Sequence, residues 1–152
     1  MEDKKTDRKK TQFKFSAGAI IFYMEDGKPL YLLLKYTSYW GFAKGMIEKG
    51  EKSIDTAFRE IGEEAGLKKE NLQIIEGFKE KQGWFFQGDE GLVRKQATFF
   101  LAKSNTKEVK ISGEHEDFKW LPLNEALEIM KIKPNKELLI KADNFLKTLK
   151  SS

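Results

Sequence analysis

The chain of 152 residues has no cysteine, one histidine and three prolines. Disulfides, thiolate metal centres and thiol nucleophiles are therefore excluded. His115 alone rules out a multi-histidine zinc site, and any serine-type triad would have to use it. Ala17 to Met24 is an apolar run, but it is far shorter than the roughly 20 residues of a membrane helix. It ends in Glu25-Asp26 without a small-residue cleavage site, and Glu2, Asp3 and Asp7 interrupt the basic stretch before it, so it does not read as a signal peptide. What remains is a balance of 39% hydrophobic and 34% charged residues. That predicts a soluble, cytoplasmic protein with no membrane partner and one folded domain over 13–150, preceded by a disordered basic tail over 1–12. The net charge of +4 suits an anionic ligand such as a phosphate ester and is too small to argue for a nucleic-acid coat.

Phe13–Met24 and Leu30–Tyr36 are rich in β-branched and aromatic residues and are joined by a turn centred on Asp26-Gly27, which predicts a hairpin. Residues 37–51, with Gly41, Gly45 and Gly50, read as loop. Ser53–Ala65 reads as a helix ended by Gly66. Leu72–Gln87 and Leu92–Lys103 read as two long strands, and Phe118–Leu121 as a short one. Asn124–Lys131 and Asn135–Lys150 read as helices separated by Pro134. Strands and helices mix without strict alternation, so the fold class is α/β, with a mixed sheet carrying helices on its faces.

The chemistry concentrates in Gly45–Leu67, GMIEKGEKSIDTAFREIGEEAGL. Ile54, Ala57, Phe58, Ile61 and Ala65 form one apolar stripe at about 100° per residue. Glu60, Glu63 and Glu64 then fall together on the far side, at spacings where like charges repel and near the helix end that disfavours anions. Three glutamates alone are more simply a solvated acidic face. Two features point instead to a bound divalent cation: Glu51 precedes the helix in a Gly-rich loop, and Arg59 is placed to pair with it. Carboxylate oxygens suit Mg²⁺ or Mn²⁺, which also bind substrate phosphates. A P-loop reading of the same glycines fails, because Glu51 stands where a phosphate cradle needs no acid.

Gly45, Glu51 and Arg59-Glu60-Ile61-Gly62-Glu63-Glu64-Ala65-Gly66-Leu67 match the pattern G-x5-E-x7-R-E-U-x-E-E-x-G-U, with U apolar. The segment resembles the box of the Nudix hydrolases. That resemblance implies an α/β/α sandwich around a central mixed sheet and Mg²⁺-dependent hydrolysis of a nucleoside diphosphate linked to another group. It also implies that Glu60 and Glu64 are the main metal ligands, that Glu63 binds metal or acts on the water, that Arg59 orients Glu51, and that Gly45 leaves room for the loop and lends its carbonyl to the metal.

Two further segments resemble the asymmetrical diadenosine tetraphosphate hydrolases. Trp40-Gly41-Phe42-Ala43-Lys44-Gly45 is similar to their W-x-x-P-K-G lead-in, with Ala43 in place of Pro. Lys44 would there contact a substrate phosphate. Ser112-Gly-Glu-His-Glu-Asp-Phe-Lys-Trp120 is similar to their S-x-E-H-x-x-Y/F-x-W, in which the acid, here Glu114, reaches the metals from outside the box. Their adenine-stacking Tyr falls near Trp84, which keeps an aromatic face and loses the hydroxyl. Trp84 is thus a candidate base platform, though alternation on a strand would also suit a core role. His115 is a candidate for meeting a phosphate or the leaving group, or a structural strand-end histidine. Lys79, Lys81, Arg94 and Lys95 flank or enter the two long strands and read as a polyphosphate-binding wall or a solvated outer face, with Lys79 and Lys81 favoured for the wall. The implied reaction is diadenosine tetraphosphate plus water to ATP plus AMP. The alternatives are removal of pyrophosphate from RNA 5′ ends or hydrolysis of another nucleoside diphosphate derivative. A non-enzymatic alternative is a nucleotide-sensing domain on the same fold.

Overall fold

The computed structural model describes residues 11–151. The expected tail lies almost wholly outside them, except that Gln12 is already in the first strand. Seven strands form one sheet: β1 (Gln12–Glu25), β2 (Lys28–Lys35), β3 (Trp40–Gly41), β4 (Ala43–Met46), β5 (Leu72–Gly88), β6 (Gly91–Ser104) and β7 (Asp117–Leu121). The helices are α1 (Ser53–Ala65), α2 (Leu123–Ile129) and α3 (Lys133–Ser151), with a short 3-10 turn at Lys69–Asn71. Among the described residues no helix is long and apolar enough to cross a membrane. The sheet is mixed because β1 runs parallel to β6 while the other pairs are antiparallel.

β1 organises the sheet. On one edge it pairs with β6 along Gln12–Phe22. On the other edge it changes partner, taking β4 over Ser16–Ala19 and β2 over Phe22–Glu25. The β1–β2 turn closes on Asp26 (φ 52°) and Gly27 (φ 80°), the left-handed pair that a two-residue hairpin requires. Residues 37–51 were expected as loop, but they contain β3 and β4. These strands are short and glycine-bearing, so they carry little strand signature of their own. Pairing to β1 and β2 makes them strands.

Alternation along the strands separates two cores. On one face Ala19, Ile21, Leu32, Leu34, Ala43 and Ala102 pack under Ala57, Ile61 and Ala65 of α1. On the other, Ile20, Phe22, Leu33, Phe99 and Leu101 pack under Ala126 of α2 and Leu138, Leu139 and Ala142 of α3. The result is the helix–sheet–helix sandwich. Tyr31 passes through the second core and donates its hydroxyl to the buried Asp143 of α3 at 2.6 Å. α1 ends at Gly66, whose φ of 69° is left-handed and whose N–H caps the Gly62 carbonyl.

Candidate active site

Gly45 lies on β4 directly across from Ala17, and a Cβ there would overlap the carboxylate of Glu60. Its lack of a side chain lets α1 approach the strand closely enough to bring its acids against it. Glu60 and Glu64 are consequently buried, at 8% exposure each. This corrects the placement of all three glutamates on the far side of the helix from its buried stripe: only Glu63 faces solvent, with its side chain 59% exposed. Thr56, Glu60 and Glu64 form a second buried stripe beside the Ala57–Ile61–Ala65 stripe, so α1 is buried over more of its surface than an apolar pattern alone can show.

Arg59 supplies counter-charge to most of the cluster. Arg59 holds Glu51 in a bidentate pair, Nε to Oε2 at 2.7 Å and Nη2 to Oε1 at 3.0 Å. It also donates to Glu60 at 2.7 Å and to the Met46 carbonyl at 2.9 Å, and lies 3.4 Å from Glu63. Glu51 further accepts from the Thr56 hydroxyl and the Glu48 N–H. These bonds, led by those from Arg59, hold its carboxyl down to about 2. Glu51 is thus a brace between loop and helix.

Glu64 occupies the opposite environment. Burial, the adjacent Glu60 carboxyl and the charge of Glu114 push it well above the usual carboxylate range, against the Lys44 N–H that favours its ionised form. That N–H lies 3.3 Å from Oε1, on the edge of β4 not paired to β1. The Tyr36 hydroxyl donates to the Phe42 carbonyl at 2.7 Å and lies 3.4 Å from the same Glu64 oxygen. His115, a candidate for substrate contact or for a structural role, is buried with 1% of its side chain exposed. Its Nδ1 is 3.1 Å from Ser112 Oγ, its ring edge packs against Tyr36 at 4.5 Å, and Nε2 points at Glu64 from 3.6 Å with no hydrogen-bond partner. Burial holds the imidazole below its ordinary value, in its neutral form. His115 therefore stands behind Glu64, away from solvent, with the half-buried Tyr36 beside it.

As placed, no three acidic or histidine side chains among the described residues converge on one point. The donor set nonetheless fits a hard divalent cation. Two buried carboxylates lie side by side in a glycine cradle, one of them raised towards protonation by burial and by its neighbour, with the exposed Glu63 and Glu114 nearby. Oxygen-only donors of this kind are what Mg²⁺ and Mn²⁺ take.

Strand alternation sorts the remaining candidates. Lys44 shares a face with Gly18, whose missing Cβ would overlap the Lys44 Cβ. In register across β1, β6 and β5, Lys14, Lys95 and Trp84 fall on that same face, which is the α2–α3 side. Gln82 of this face accordingly donates to the Pro134 carbonyl at the start of α3, and Glu80 pairs with Lys141. Trp84 and Phe86 share it, each about two-fifths exposed, and Lys95 Nζ lies 5.6 Å over the Phe86 ring. Burial and then the Lys95 charge depress Lys44. Lys79 and Lys81 stand opposite Phe100 and Thr98, on the α1 face. They do not join Lys44 and Trp84 in one wall, because residues an odd number apart on a strand point to opposite sides. Of the basic residues Lys79, Lys81, Arg94 and Lys95, Lys95 alone shares the face of Lys44 and Trp84, a placement set by the hairpin register. A separate cavity of about 950 Å³ between the β1–β2 turn, α2 and the end of α3 contains none of these residues.

The sandwich, the glutamate-bearing helix and the glycine cradle define a class. A NUDIX domain profile matches residues 13–142, and the chain belongs to that family as a Nudix pyrophosphohydrolase. Among curated proteins it is 35% identical to the pig asymmetrical bis(5′-nucleosyl)-tetraphosphatase over 121 residues, covering 76% of this chain and 80% of that one. It is 31% identical to the mouse protein of the same name over 142 residues, covering 86% and 94%. Among solved structures it resembles a Caenorhabditis elegans Ap4A hydrolase binary complex with a TM-score of 0.78 and 32% identity, covering 89% and 98%. Nudix hydrolases generally depend on a divalent metal.

Proposed function

We propose that the chain hydrolyses diadenosine tetraphosphate to ATP and AMP with Mg²⁺, or Mn²⁺ in its place. The observation that carries this reading is that one sheet face holds Lys44, Lys95, Lys14, Trp84 and Phe86, and that Lys44, on the edge strand, lies close enough to Glu60 and Glu64, which pack from the other face, to feel their charge. The similarity to asymmetrical tetraphosphatases over most of the chain supports it. A base stacks on Trp84 or Phe86, where aromatic faces are exposed. Lys44 and Lys95 take the polyphosphate chain, whose charge restores the favourable environment that burial and mutual repulsion deny Lys44. A divalent cation held by Glu60 and Glu64, with Glu63 and Glu114, would supply charge neutralisation at the attacked phosphorus and a water of lowered pKa. Water forms the new P–O bond, the bridging P–O bond breaks, and a carboxylate of the cluster accepts the proton. Arg59 and Glu51 keep the helix start and the β4 loop in place.

The test is a substrate panel with product chromatography. Diadenosine tetraphosphate should exceed ADP-ribose and an oxidised deoxynucleoside triphosphate in kcat/KM, give ATP and AMP, and stop with chelator. Lys44→Ala should narrow the preference for long over short phosphate chains, because remote contacts are what a short substrate lacks. ADP as the sole product, or a better rate on ADP-ribose, refutes the assignment.

A further inference from the structure

Among the described residues no element covers the α1 face of the sheet beyond α1, and that part of the face forms a platform. Phe13 of β1, Arg94 of β6 and Phe85 of β5 are mutual partners in one row across three strands, and Phe15, Gln96 and Gly83 form the next row. Phe13, Phe15 and Phe85 are 58%, 48% and 68% exposed. Adjacent rows lie about 7 Å apart along the strands, and the outer columns about 10 Å apart. Lys81 and Lys79 follow on β5 on the same face. From Phe13 to Ala19, Lys79 to Phe85 and Leu92 to Phe100, that face carries cations and aromatics and no acid. Of the acids adjoining it, Glu48, Glu51, Glu60 and Glu63 are all engaged by Arg59, and Glu64 is buried.

We propose that this platform binds a single-stranded RNA segment, with unpaired bases stacked on Phe13, Phe15 and Phe85 and the backbone phosphates on Arg94 and Lys81. Exposed rings on a sheet face with interleaved cations are the surface such a strand takes, and the Gln96 amide offers both a donor and an acceptor to a base edge. Gly83, lacking a side chain, leaves room between the rings. Two other occupants fit less well. A second copy meeting this face symmetrically would bring Arg94 and Lys81 towards their own images with no acid to answer them. An anionic membrane would take the charges of Arg94 and Lys81 but would offer no base edge to the Gln96 amide that lies in the row of Phe15. The platform lies on the face opposite Trp84, so the proposal does not depend on the dinucleotide assignment.

The experiment is fluorescence anisotropy of a labelled oligouridine of about ten nucleotides, a length within one such site. It uses the full chain, with an excess of a non-hydrolysable dinucleoside polyphosphate to occupy the other face. Binding should weaken with salt, Arg94→Glu should reduce affinity at least tenfold, and Phe85→Ala should reduce it by about 5- to 150-fold, the range for one lost stack. Phe85→Tyr should keep it. All three variants should melt near the parent and hydrolyse dinucleotide at the parental rate, since these side chains are exposed. The proposal is overturned if Phe85→Ala and Arg94→Glu bind RNA like the parent. It is equally overturned if Phe85→Ala abolishes a concentration-dependent dimer seen by sedimentation, or if anionic vesicles bind while the oligonucleotide does not.

Discussion

Glu51 and Glu64 flank one helix and carry the same side chain, yet the protein places them in opposite states. Glu51 sits at the loop junction with Arg59, Thr56 and the Glu48 N–H satisfying both oxygens, and its carboxyl is held down to about 2. Glu64 is the penultimate residue of the helix, against β4 and beside another carboxylate, with its full charge disfavoured by burial. The difference shows how a single acidic segment separates support from chemistry. A carboxylate that is already paired stabilises the fold and has nothing left to offer a ligand. One that is buried without enough positive charge stores the demand that a cation meets.

The sharpest way to break this comparison is to neutralise each acid in turn. Glu64→Gln should cut kcat/KM by roughly 100- to 1,000-fold, the size of losing one partner to transition-state charge. Its metal-free melting temperature should hold or rise. Glu51→Gln should lower the melting temperature through the lost Arg59 pair. If Glu64→Gln melts well below the parent, or keeps full activity, the division of roles is wrong.

Gly45→Ala comes next. The added methyl meets the Glu60 carboxylate, which Arg59 pins in place, and should cost about 1–3 kcal/mol by overpacking. Urea denaturation measures it, and an unchanged midpoint would mean α1 can retreat from β4 at no cost.

The pH profile of metal-free stability follows from the two shifts. Glu64 is raised in the folded state, so its contribution is complete below about 4.5 and is lost as pH rises through its raised value. Glu51 is lowered, so its contribution is present above about 4.5 and is lost as pH falls towards about 2. Thermal melts in chelator should therefore peak in mild acid. Mg²⁺ or Glu64→Gln should flatten the alkaline decline, and Glu51→Gln the acid one. A flat alkaline limb in chelator contradicts the account of Glu64.

The smallest effect contrasts two lysines on opposite faces. Lys95→Ala should raise KM for a dinucleoside tetraphosphate several-fold, whereas Lys81→Ala should leave it within twofold, since only the first shares a face with Lys44 and Trp84. Equal effects would show that the strand faces do not divide substrate contacts.

Much of this could be read along the chain. The hairpin at Asp26-Gly27, the helix over Ser53–Ala65 with its Gly66 cap, the long β5–β6 pair and the box of acids are all local patterns, each set by turn chemistry, periodicity or spacing within a few residues. The pairing of Arg59 with Glu51 was legible for the same reason, because both belong to one loop–helix junction. β3 and β4 were not legible, since two to four residues carry no period and become strands only through their partners. Contacts across long separations were out of reach as well. The sequence could not show that Glu60 and Glu64 are buried, because that depends on Gly45 of another element lying beneath them. Nor could it show that His115 comes in behind Glu64 from a segment some fifty residues on. What the sequence determined by itself was the chemistry available, a cluster of acids around one arginine. Tertiary structure decided which of those acids are satisfied and which sheet face each cation reaches, because burial and register exist only once distant strands have paired.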